Sequence, residues 1–188
     1  MKRVLRLMVA FIMLGTTFSL SVSAKAAVLG YELENGIDVI YTWNHSTAVE
    51  NKLYEINFAK NNWEYPGWYN PIDFVNSSTN DSTNIDFWAY PSEYFSRNVL
   101  GYTKFYQTGY IQVDPVLQDW YWCKIAINID DPGNYNEERG TVVHEIGHGL
   151  GLAHNTNVNS IMCQRGSGRI VNTVQYKDNT DVLHLYGY

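Results

Sequence analysis

His144-Glu145-Ile146-Gly147-His148-Gly149-Leu150-Gly151-Leu152-Ala153-His154 is the stretch on which the reading of this chain turns. A helix advances about 100° per residue, so His144 and His148 stand roughly 40° apart and their rings can converge on one ion. Val142, Val143, Ile146 and Leu150 fall on the opposite side, where they can bury. One helix thus carries a histidine face and a core face. Gly149 and Gly151 weaken it, and Gly151 suits the left-handed conformation that ends helices. The chain can then turn back and bring His154 to a third position. Glu145 is too close to His144 in sequence to be an easy ligand, but it can reach a water on the ion. Hydrolytic zinc needs three protein ligands and one open position. The expected metal ligands are therefore His144, His148 and His154, around one Zn2+ ion, with Glu145 as the catalytic base.

His-Glu-x-x-His alone is a moderate signal. The further Gly151 and His154, at their offsets, make the long form of the pattern. A helix with ordinary surface histidines would leave unexplained why three of the five histidines fall within eleven residues. His45 and His184 lie far away in sequence and are expected to be surface or structural residues.

The neighbouring sequence predicts how this helix is placed. Asn134 or Asn136 can cap its start, and Glu137 and Glu138 suit the positive end of its dipole. Ile37 to Trp43 is β-branched and aromatic and predicts a strand. Ala48 to Trp63 has apolar residues near helical spacing, and Pro66-Gly67 stops it. Ile72 to Val75 and Ile85 to Tyr90 predict two strands. Gly101 to Tyr106 and Tyr110 to Val113 flank Gln107-Thr108-Gly109 as a hairpin. Lys124 to Asp130 predicts a further strand, broken by Asp131-Pro132-Gly133-Asn134. The fold class expected is α+β, a single mixed sheet with a long early helix and the histidine helix against it.

The first residues read as a leader to be removed. Lys2, Arg3 and Arg6 precede an apolar run from Leu7 to Leu20, and cleavage after Ala24 or Ala26 fits the small residues there. About 14 apolar residues fall short of the roughly 20 that span a bilayer. The expected domains are a signal peptide over 1–24 and a catalytic domain over 27–188. Removing 24 of 188 residues leaves 164, enough for one core. Losing Lys2, Arg3 and Arg6 takes the net charge from −6 to −9, which argues against nucleic acid or an anionic membrane as partner. Aromatics at 15% and charged residues at 17% argue against disorder. The expectation is a secreted, extracellular monomer with no stable membrane association. Cys123 and Cys163 form an even count in an exported chain, which predicts one disulfide, with two buried free thiols as the alternative.

From His144 to His154, and then Ser160-Ile161-Met162, the chain resembles the metzincin peptidases, and within them the matrixins. Asp178 to Gly187, ending Leu185-Tyr186-Gly187, is similar to the family's short C-terminal helix. The resemblance implies a twisted metzincin-like sheet and places Met162 beneath the metal as a floor rather than a ligand. It implies a zinc-dependent endopeptidase that hydrolyses peptide bonds by Glu145-assisted attack of a zinc-bound water. It also implies a protein or peptide substrate extended along the strand near Gly101 to Tyr106, with Cys163 to Val171 as one wall of the specificity pocket. The family's second, structural zinc uses upstream histidines, and only His45 is available, so that ion is not expected. Calcium is left open. No Cys precedes position 123 to block the zinc, and the expectation is a catalytic domain alone. The competing reading is a zinc-holding binding protein or toxin subunit without turnover.

Overall fold

The computed structural model describes residues 27–45, 47–130 and 133–188. The leader and Asp131-Pro132 lie outside the described residues. Six strands form one sheet: β1 (Ile40–Asn44), β2 (Phe74–Asn76), β3 (Ile85–Tyr90), β4 (Gly101–Tyr106), β5 (Gln112–Val113) and β6 (Trp122–Asn128). Their order is β2-β1-β3-β6-β4-β5. The β1–β2, β1–β3 and β3–β6 pairs are parallel, while β4 runs antiparallel to both β6 and β5. The sheet is mixed, and with the helices it makes the α+β architecture the sequence predicts.

The helices are α1 (Thr47–Glu50), α2 (Leu53–Glu64), α3 (Tyr135–Gly149) and α4 (Tyr176–Leu185). The single early helix expected over Ala48 to Trp63 is split at Asn51-Lys52. The Lys52 amide closes a turn on the Val49 carbonyl at 2.8 Å. Its ammonium then pairs with Glu138 of α3 at 2.9 Å. The break lets Val49 and Ile56 both enter the core, where each is at most 1% exposed. The first strand starts three residues later than expected, at Ile40, whose amide bonds the Asp73 carbonyl.

Strand residues alternate faces. Ile85, Phe87, Cys123 and Ile125 point towards α3 and are fully buried. Trp63 of α2 seals the far side of α3, its indole N–H donating to the Val143 carbonyl at 2.9 Å. Val142, Val143, Ile146 and Leu150 are likewise fully buried. Burial of side chains this size stabilises by about 1.5–3 kcal/mol each before chain entropy is counted. The other face of the sheet carries the aromatic surplus: Tyr106 stacks on Trp122, and the Lys124 ammonium sits 4.0 Å from the Trp88 ring.

The expected disulfide is not formed; both cysteines are free and buried. Helix α3 lies between them. A Cβ on Gly149 would stand 3.0 Å from the Cys123 sulfur, whereas one on Gly147 would stand 2.4 Å from the Met162 sulfur. Two residues along a helix point about 200° apart. Cys123 and the Met162-Cys163 turn are thus on opposite sides of one helix. Burial pushes the Cys123 thiol well above its ordinary range. A thiol reagent should therefore find two free thiols in the denatured exported protein and almost none in the native one. Reductant should leave the melting temperature unchanged. A Cys123–Cys163 linked peptide in a non-reduced digest would contradict this.

Candidate active site

Helix α3 begins on a capping box. The Asn134 side chain accepts from the Asn136 and Glu137 amides at 3.0 and 3.2 Å, and Glu137 Oε2 accepts from the Asn134 amide at 3.0 Å. Of the two caps the sequence offered, Asn134 is used. The helix ends on a Schellman motif, with Leu152 N–H donating to the Gly147 carbonyl at 2.9 Å and Gly151 N–H to the His148 carbonyl at 2.8 Å. Gly151 has φ +93°, and a Cβ there would also lie 2.3 Å from Leu185 of α4. The segment beyond is fastened by the start of the described chain: Ala153 N–H donates to the Ala27 carbonyl and Leu29 N–H to the Gly151 carbonyl. This turn delivers His154 to the two helix histidines.

The three Nε2 atoms form a nearly equilateral triangle, His144 to His154 at 3.1 Å, His148 to His144 at 3.1 Å and His148 to His154 at 3.0 Å. His144 Nδ1 donates to the Ile161 carbonyl at 2.7 Å, and His148 Nδ1 to the Leu152 carbonyl at 2.8 Å. With the proton held on Nδ1, each of these rings turns a lone pair inward at Nε2. Burial holds the His144 and His148 imidazoles below their usual pKa; His154, exposed at the cleft, is lowered to about 4 by partial desolvation and the neighbouring His148. The His144 and His148 lone pairs converge with His154 Nε2 on one point, a donor set that suits a cation. Tetrahedral zinc with bonds of about 2.0–2.1 Å sets ligand nitrogens about 3.3 Å apart, close to what is found. The residues fit the ion, and among the described residues they are the one such group that could hold a metal.

The Ile161 carbonyl that holds His144 is itself braced from α4. Asp178 Oδ2 accepts from the Ile161 amide at 3.0 Å, and Oδ1 accepts from Ser160 Oγ at 2.5 Å. Met162 is 1% exposed, with its sulfur against Gly147. That places it as packing under the helix. Sequence reasoning passed over Asp178; its signal is an acid in the first turn of the final helix, where it also accepts from the Gln175 amide.

Glu145 is 6% exposed. Burial pushes its carboxyl up to about 7, against the Thr103 hydrogen bond and the Arg169 charge, which pull it down. The Thr103 hydroxyl donates to Oε2 at 2.8 Å. The histidines and Glu145 open on a cleft of about 930 Å³. Gly101 to Thr103, Gln164 to Ser167 and Arg169 are among the residues that line it. The expected substrate strand is shortened: β5 pairs with Phe105 and Tyr106, so the free edge of β4 is Gly101 to Lys104. His45 stacks on Trp88 and meets Trp43 edge-on, and His184 is exposed on α4; neither joins the site.

The matrixin family model matches residues 71–187, which hold the sheet's larger part and the whole histidine stretch. The chain belongs to the matrixin family. It is accordingly a zinc-dependent metalloendopeptidase, and its substrates are peptides. Comparison with curated proteins finds no match. Among solved structures it is similar to high choriolytic enzyme 1, a hatching enzyme zinc-protease from Oryzias latipes, the medaka fish. That likeness has 16% identity and a TM-score of 0.49, and covers 83% of this chain and 92% of the other.

Asp178 ties α4 to the backbone behind His144, so Asp178→Ala should act on both stability and metal. Each buried donor left unpaired costs roughly 1–3 kcal/mol, and loss of such a brace typically weakens metal affinity about 10–100-fold. Thermal melts and zinc titration of the variant check this; unchanged affinity would detach α4 from the site.

Proposed function

We propose that this matrixin is a secreted endopeptidase in which His144, His148 and His154 hold one zinc ion and Glu145 carries the proton. The convergence of three Nε2 atoms beside a buried carboxylate, in an open cleft, is the observation that supports it. When bound, zinc supplies a Lewis acid that acidifies water and polarises the scissile carbonyl. The chain's own residues do the rest. The carbonyls of Ile161 and Leu152 hold two imidazoles in the ligating tautomer. The free edge of β4, Gly101 to Lys104, offers backbone donors and acceptors to an extended peptide. Glu145 takes a proton from the attacking water and returns it to the leaving amine. The wall from Gln164 to Arg169 faces the substrate side chains. Export rests on the basic start and apolar run of residues 1–24; among the described residues no helix is long and apolar enough to cross a membrane.

Glu145→Gln keeps the size of the side chain and removes its proton acceptor. The zinc-loaded variant should bind metal stoichiometrically and cleave unfolded casein at least about 100-fold more slowly than the wild type. Near-normal cleavage would rule out Glu145. A zinc-loaded wild type that leaves casein intact with or without chelator would favour a metal-holding binding protein. N-terminal sequencing of the exported chain should start at Lys25 or Ala27.

A further inference from the structure

We propose that Gly101 and Thr103 of β4 form the seat of the Glu145 carboxylate, with Thr103 as a positioning residue that fixes the base against the substrate edge. The inference rests on the reading of Glu145 as proton carrier. The two residues are i and i+2 on one strand and share the face that meets α3. Thr103 Oγ1 donates to Glu145 Oε2 at 2.8 Å and lies 3.0 Å from the same residue's backbone carbonyl. A neutral donor on an ionised acceptor makes a short, charge-assisted bond. It occupies one carboxylate oxygen and leaves Oε1 for the reacting water.

Gly101 supplies the room. A Cβ at position 101 would lie 2.9 Å from Glu145 Cγ, 3.1 Å from Oε1 and 3.2 Å from the Ala126 carbonyl. A methyl group there cannot retreat, because Ala126 belongs to the neighbouring strand β6 and pairs with Tyr102. It would instead push the carboxylate stem out of its seat. Glutamate has three side-chain torsions, and left unheld it would spend much of its time away from the reacting geometry. The same four residues therefore do two jobs. Their backbone edge faces the peptide, while the side-chain positions at 101 and 103 hold the base, so the substrate's register and the base's position are set by one strand.

The test uses the zinc-loaded, exported full chain and a peptide substrate, with kcat and KM measured separately beside zinc content and melting temperature. Thr103→Val keeps the shape and removes the donor. Its kcat should fall at least about 10-fold, a part of the scale of general-base catalysis, with KM within twofold and zinc stoichiometric. Thr103→Ser, which keeps the donor, should recover kcat to within about threefold of wild type. Gly101→Ala should lower kcat at least as far as Thr103→Val. Placed on Glu145→Gln, Thr103→Val should have no further effect, since the group it positions is gone. If the valine variant does not fold, Thr103→Ala against Thr103→Ser makes the same comparison. An unchanged kcat in Thr103→Val, a serine variant as impaired as valine, or a loss confined to KM would overturn the seat. Full activity of Glu145→Gln would overturn the base assignment itself, and this inference with it.

Discussion

One helix has to be wet on one side and dry on the other, and the remaining structure follows from that demand. Helix α3 buries Val142, Val143, Ile146 and Leu150 completely while presenting His144 and His148 to an open cleft. The apolar face is gripped from two directions, by β3 and β6 through Ile85 and Ile125, and by α2 through Trp63. Such a grip leaves the helix little freedom to rotate about its axis. That matters because a rotation of a few degrees would carry the two imidazoles out of convergence with His154.

Burial sets the chemistry as well as the geometry. Taking His144, His148 and Glu145 out of water works against their charged forms, so the two helix histidines stay neutral and Glu145 is drawn towards neutrality. Neutral imidazole is the ligating form, and each helix histidine spends its remaining proton on a backbone carbonyl. Those carbonyls come from loops that follow the helix, not from the sheet. The sheet therefore fixes where α3 lies, and the loops after it fix how its histidines point.

The local parts of this arrangement were legible in the sequence. The histidine spacing, the left-handed Gly151, the core face of α3 and the strand Ile85 to Tyr90 all follow from rules that act over a few residues, and the structure brings the histidines together and places the other three accordingly. The cysteines were misread for a different reason. Their pairing depends on what lies between them, and α3 does: Cys123 contacts the Gly149 side and Met162 the Gly147 side. Asp178 was passed over because its partners, Ser160 and Ile161, are joined to it only by the closing of the fold. The early helix was read as continuous because Asn51-Lys52 breaks no propensity rule; the ion pair with Glu138, 86 residues away, belongs to the tertiary structure.

The site is also where the distant ends of the described chain meet. Ala27 and Leu29 pair with the segment between the second and third histidines, and α4 braces the carbonyl behind the first. A histidine triad spanning eleven residues is thus held by residues more than 140 positions apart, Leu29 and Asp178. Short-range rules bring His144, His148 and His154 near one another, since the Schellman turn alone reverses the chain. They do not by themselves fix three Nε2 atoms within about 3.1 Å of one another; the long-range ties from Ala27, Leu29 and Asp178 add that. Ties of that length make the triangle a property of the whole fold and not of the eleven-residue stretch alone.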